Sequence, residues 1–210
     1  LRLGAHNRRH PKTGALFAIA YSHAEPTVQI HQIDASGNLA NSFSVALAAP
    51  TMIHDFVLTE RYIVLLACPA VFDGAAARQG QPFLQWRPGM GTRIGLIALD
   101  GSTTQWLDAD PFFVFHFANA FERGGDIFID YVQHESLALG YAQATQKPPT
   151  LHRMTINLAA RKVGDMQVTG MVTEFPRIND ERDALQTRFV YLPTLTNSLR
   201  QVKPPSATFN

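Results

Sequence analysis

The chain has 210 residues, 46% of them hydrophobic and 17% charged, which is globular material and not a disordered tail. A formal net charge of +1 with no basic run gives no electrostatic case for nucleic acid as a partner. A single cysteine, Cys68, excludes an internal disulfide framework, and no apolar run approaches the ~20 residues of a membrane span.

One cysteine fits a reducing compartment, so a cytoplasmic setting is expected. Leu1-Arg2-Leu3-Gly4 has neither an initiator Met nor a signal-peptide pattern and already reads as the inside of a strand. The expectation is a single-domain piece, residues 1–210, of something longer.

In chain order, His10-Pro11-Lys12-Thr13-Gly14 reads as a turn and Ala15 to Tyr21 as a strand. Thr27 to Ile33 follows, its apolar alternation drifting by one residue at Ile33. Asp34-Ala35-Ser36-Gly37-Asn38 closes a hairpin into Leu39 to Leu47. After Pro50 come strands at His54 to Leu58 and Tyr62 to Pro69. Asp73 to Pro88, rich in Gly, Ala and Gln, reads as a mobile loop or an excursion toward a substrate. Ile94 to Leu99 and Thr103 to Leu107 form a hairpin over Asp100-Gly101. A strand through His116 and a strand from Asp126 to His134 are joined by Arg123-Gly124-Gly125. Ser136 to Gln146 reads as a short helix or a lid. Leu151 to Leu158 and Gln167 to Val172 pair across Ala159 to Asp165, and Phe189 to Leu195 ends the pattern.

About a dozen short strands with turn signals every 8–12 residues point to an all-β sandwich, barrel or propeller. Hairpin after hairpin in up-and-down order favours propeller blades.

The stretch with the most chemical content is Phe113-Val114-Phe115-His116-Phe117-Ala118-Asn119-Ala120-Phe121-Glu122, a histidine inside an aromatic, β-forming run. An imidazole buried there needs a proton partner, a metal, or both. Strand alternation puts Phe115 and Phe117 on the face opposite His116, leaving it between Val114 and Ala118. Thr51-Met52-Ile53-His54-Asp55-Phe56 and Gly4-Ala5-His6 repeat the arrangement. Singly, each histidine reads as readily as a structural residue, and His6 as a surface one. Together they suit iron, copper, nickel or zinc.

Metal-bound histidines usually donate their second N–H to a carboxylate or carbonyl. The candidate carboxylates are Asp55, Glu122 and Glu174, the last with an ion pair to Arg177 or Arg182 as its plain alternative. His10, His23, His31, His134 and His152 lie in turns or at strand ends and read as solvated or structural. Cys68 reads as an inert buried thiol. No phosphate loop or nucleophile elbow is present.

The motifs, in order, resemble those of the carotenoid cleavage dioxygenases, a family that includes lignostilbene dioxygenases and the retinoid isomerases. Ala5-His6 with Pro11-Lys12-Thr13-Gly14 is similar to the family's "AHP…D…TGE", and Met52 to Val64 to its second histidine motif. Arg93-Ile94-Gly95 resembles "R-x-G", and Phe115-His116-Phe117-Ala118-Asn119-Ala120-Phe121-Glu122 resembles "FH-x-x-NA-[YF]-E". Leu151-His152-Arg153 and Glu174-Phe175-Pro176-Arg177-Ile178-Asn179 match two further segments.

The resemblance implies part of a seven-bladed propeller with its terminal blades missing. It also implies a non-haem Fe(II) ion held by four histidines. His6, His54 and His116 match three, Glu174 matches a carboxylate behind His116, and the fourth histidine lies outside this chain. No protein acid or base is required. The implied reaction is O2-dependent cleavage of a C=C bond in an apolar, conjugated carotenoid, apocarotenoid or stilbene, with this span alone expected to be inactive. A retinoid-type isomerohydrolase and a metal-free binding scaffold are the alternatives, and peripheral membrane contact stays open. Phe112, Phe113 and the Asp73 to Pro88 loop are candidate tunnel residues. The departure is Asn7-Arg8-Arg9-His10, where the family has Pro-Lys-x-Asp.

Overall fold

A computed structural model of the chain describes residues 3–137, 147–193 and 199–202. Three four-stranded antiparallel sheets follow one another along the sequence, each with its strands in up-and-down order. The first holds β1 (Asn7–Arg9), β2 (Leu16–Tyr21), β3 (Thr27–Ile33) and β4 (Leu39–Ala46). The second holds β5 (Val57–Leu58), β6 (Tyr62–Ala67), β9 (Thr92–Ala98) and β10 (Thr104–Ala109), with a hairpin of β7 (Ala70–Phe72) and β8 (Leu84–Trp86) inserted. The third holds β11 (Phe117–Arg123), β12 (Asp126–Gln133), β13 (Thr150–Asn157) and β14 (Lys162–Val172). A pair of β15 (Val190–Pro193) and β16 (Leu199–Val202) follows, and Arg177 exchanges backbone hydrogen bonds with Tyr191 to begin a fourth sheet.

These sheets are blades, because the apolar interior lies between them. In β6 the side chains alternate between two cores. Ile63 and Leu65 pack with Phe17, Ile19 and Ile30 of the first sheet, while Val64 and Leu66 pack with Ile127 and Ile129 of the third. A strand buried on both faces has no polar side to show, which is why Tyr62 to Ala67 reads as a continuous apolar run. The outermost strands β4 and β14 are largely exposed. Of the first strands of the sheets, β5 contacts both β1 and β11. Within β9, Gly95 leaves room for Trp106, since a Cβ there would lie 2.8 Å from its ring.

Several expectations are refined. The drift at Ile33 is a β-bulge between Gln32 and Ile33. Asp73 to Pro88 is an ordered insertion: Asp73 caps the short helix α1 (Gly74–Arg78) by accepting from Ala75 and Ala76 N–H, and also pairs with Arg87. The turn expected across Ala159 to Asp165 is tighter, with Asn157 paired to Lys162. Of Ser136 to Gln146, residues 138–146 lie outside the described residues.

The strands expected to carry His54 and His116 begin after them, at Val57 and Phe117. Phe112 and Phe113 are core residues, 5% and 1% exposed, and not tunnel walls: Phe113 N–H and C=O pair with the backbone of His134. No helix among the described residues is long and apolar enough to cross a membrane.

Candidate metal centre

Each blade supplies a histidine just ahead of its innermost strand. His6 immediately precedes β1, His54 stands three residues before β5, and His116 immediately precedes β11. The rule extends to the fourth blade. Glu174 stands three residues before Arg177, the first residue to pair there. Strands that converge at the centre thus deliver one side chain each to a common point.

His6 Nε2 and His54 Nε2 lie 3.2 Å apart, and ring centroids in the three pairs are 4.9, 5.1 and 5.1 Å apart. One nitrogen from each ring falls within 4.8 Å of the others, the one such group of three among the described residues. Burial pushes the His6 and His54 imidazoles below their ordinary value. At His6 the nearby Asp55 opposes this, while His116, Arg8 and Arg177 reinforce it; at His54, His116 and His6 reinforce it. Both rings are therefore neutral near pH 7, the form that binds metals.

His116 Nδ1 donates to Glu174 Oε2 at 2.7 Å, which leaves Nε2 as the free donor atom. The Phe175 N–H donates to the same oxygen at 2.7 Å, and His134 Nε2 donates to Oε1 at 2.6 Å. Burial alone would raise the Glu174 carboxyl, but these hydrogen bonds outweigh it and hold the group at about 2. To accept the Phe175 N–H, the chain bends through φ 53 at that residue, a left-handed conformation uncommon for a bulky side chain. The bend lays the Phe175 ring on His116, centroids 4.4 Å apart.

Residues 2–209 match the family described as retinal pigment epithelial membrane protein. The chain belongs to that family. A carotenoid 9,10(9',10')-cleavage dioxygenase of Crocus sativus is 26% identical over 209 residues, covering 95% of this chain and 38% of the relative. The crystal structure of cobalt-substituted Synechocystis ACO superposes with a TM-score of 0.81 at 24% identity, covering 97% of this chain and 50% of that one. A lignostilbene dioxygenase of Pseudomonas brassicacearum gives 0.81 at 24%, covering 91% and 43%. The chain thus spans less than half the length of the curated relative, and the fold is part of a β-propeller.

Where this member of the retinal pigment epithelial membrane protein family departs from the expected first motif, the structure shows replacements. Arg8 donates through Nη2 to Asp55 Oδ2 at 2.8 Å and through Nε to Phe56 C=O at 2.8 Å. His10, buried, donates from Nε2 to Glu60 C=O and accepts the Thr13 N–H at Nδ1, holding the turn. Asp55 does not serve an imidazole, contrary to one expectation. Its oxygens take Arg8 and the Phe56 and Phe117 N–H groups. Glu122 is likewise elsewhere, accepting from Thr59 Oγ1 and Arg61. Glu174 takes the histidines and not the ion pair that its neighbours Arg177 and Arg182 suggest.

The residue that sequence reasoning missed is His134, read as solvated or structural. Only the third blade's hairpin brings it to Glu174, so nothing near it in sequence signals the contact. Phe115, assigned by strand alternation to the face away from His116, instead sets its ring 5.6 Å from that of His54, because the backbone bends at Phe115 before the strand begins. A cavity of about 470 Å³ opens beside His6 and His116, lined in part by Arg8, Arg177, Asp180 and Asp183. Leu16, Phe117, Phe175, Pro176 and Ile178 line the same cavity, and Phe115 borders His54 and His116.

Proposed function

We propose that the protein carrying this chain is a non-haem Fe(II)-dependent dioxygenase. It cleaves a C=C bond of an apolar, conjugated apocarotenoid or stilbene to two carbonyl products. The observation that carries the reading is the convergence of His6, His54 and His116 on one point, with the His6 and His54 rings neutral near pH 7 and with His116 turned by Glu174. The 3.2 Å between His6 and His54 nitrogens is close to the ~3 Å expected of adjacent ligands on one ion.

All-imidazole donors fit iron, a borderline metal, and the names of relatives, a cobalt-substituted oxygenase among them, support a metal-dependent oxygenase. Bound there, Fe(II) supplies the redox chemistry by which O2 adds across an alkene and splits it. The chain's own residues hold and orient. Glu174 keeps the proton on His116 Nδ1 so that Nε2 faces the centre, and Phe115 and Phe175 offer ring faces to a flat conjugated substrate. A fourth histidine from beyond these residues completes the set.

The test is metal analysis of the protein together with turnover of an apocarotenoid and a stilbene under labelled O2. Stoichiometric iron, with one label in each carbonyl product, is expected. Absence of bound metal removes the reading in favour of a binding scaffold. Product oxygen drawn from water replaces it with an isomerohydrolase.

A further inference from the structure

We propose that His134 is a positioning residue of this centre, acting on His116 through the carboxylate that the two rings share. The inference rests on the metal-centre reading above and deepens it. A glutamate has three side-chain torsions, so one hydrogen bond from His116 does not by itself fix its carboxylate. In this structure both oxygens are bound. Oε2 accepts from His116 Nδ1 and from the Phe175 N–H, and Oε1 accepts from His134 Nε2. Removing His134 leaves Oε1 without that donor, so the carboxylate is held at Oε2 alone and its orientation toward His116 loosens.

His134 is itself held. It closes β12 with two backbone hydrogen bonds to Phe113, at 2.9 and 3.0 Å. Its ring stands edge-on to Phe115, centroids 5.2 Å apart and planes at 83°. Its side chain is 14% exposed, so the bond to Glu174 is shielded from competing water. The acceptor is a carboxylate, so Nε2 carries the proton. Phe115 also borders His54. One residue of the third blade thus braces the glutamate of the fourth and the aromatic that touches the ligand of the second.

Two consequences distinguish positioning from mere packing. The effect of His134 must vanish when Glu174 can no longer serve His116, and a neutral N–H donor of the same reach must restore it. Glutamine supplies such a donor, its Nε2 falling where the histidine Nε2 lies. Phenylalanine keeps the ring packing and loses the N–H, whereas asparagine keeps polarity but is too short.

The experiment measures Co(II) affinity by chelator competition, and the visible bands of the Co(II)-substituted protein, in the protein carrying this chain. The variants are His134→Phe, His134→Asn and His134→Gln, each also made in a Glu174→Gln background. His134→Phe and His134→Asn are expected to weaken Co(II) binding about tenfold, the lower end for a lost outer partner, and to shift the bands. His134→Gln stays within about threefold of wild type, and in the Glu174→Gln background the three variants become equal. Wild-type affinity and bands in both His134→Phe and His134→Asn overturn the inference while leaving the metal centre standing. So does failure of His134→Gln to differ from them. If the wild-type protein binds no Co(II), the metal-centre reading falls and this inference falls with it.

Discussion

The guanidinium of Arg8 lies 2.8 Å from the carboxylate of Asp55, and this pair ties together the segments that carry all three histidines. Arg8 is two residues past His6, and Asp55 adjoins His54. Asp55 Oδ2 also accepts the N–H of Phe117, the residue after His116, at 3.1 Å, while Arg8 donates to Phe117 C=O at 3.3 Å. Side-chain exposure is 14% for Arg8 and 1% for Asp55, so the pair is shielded from solvent.

Breaking this pair from one side strands a buried carboxylate. Arg8→Met is expected to destabilise the protein by about 3 kcal/mol, the lower end for a broken buried pair, because two backbone N–H groups still serve Asp55. Arg8→Lys should recover part of the loss, as a point charge that cannot serve both Asp55 and Phe56 C=O. Urea unfolding measures both. An unchanged midpoint in Arg8→Met means the pair does not hold the ligand loops.

Loss of a ligand and loss of its orienting partner should differ in degree. His54→Ala or His116→Ala is expected to abolish metal binding and turnover with the β-fold retained by circular dichroism. Glu174→Gln should reduce metal affinity or activity by about 10–100-fold. Wild-type turnover in His116→Ala refutes the ligand assignment.

Stability of the metal-free protein should fall as the pH drops below neutrality. His6 and His54 have folded-state values below 6.5, so below that pH the unfolded chain binds more protons than the folded one. The groups facing them are His116, Asp55, Glu174, Arg8 and Arg177. Glu174 acts in a second window. Its value is depressed from 4.5 to about 2, so its contribution is complete above 4.5 and lost as the pH falls toward 2. Urea midpoints from pH 7.5 to 5.5 should decline, and less steeply in a His6→Asn/His54→Asn variant. Equal slopes in the two proteins refute the assignment of the first window to these rings.

Cys68 should be inert in the folded protein. It is 2% exposed, and burial pushes its thiol up to about 12. Iodoacetamide at pH 8 is expected to modify it only after unfolding. Rapid modification under native conditions would place the thiol at the surface.

Much of the fold was legible in the chain because its determinants are local. Alternating apolar residues, Asp-Gly and Gly-Gly turns and short hairpins mark each strand pair, and the continuous apolar run from Tyr62 to Ala67 marks a strand covered on both faces. The three histidines were legible too, since each adjoins an apolar, β-forming run, although only the structure shows that the strands begin after them. Their family motifs surround them.

What only the tertiary structure decided are relationships between blades. Strand periodicity misassigned Phe115 because the backbone bends at that residue, before β11 begins. Asp55, Glu122 and Glu174 are alike in sequence as carboxylates in apolar settings. Packing gave them different partners: an arginine from the first blade, a turn within the second, and two histidines of the third. His134 carries no local mark, lying just past the end of hairpin strand β12. Its role depends on a hydrogen bond spanning 40 residues, and such a contact is set by how blades stack, which no window of sequence encodes.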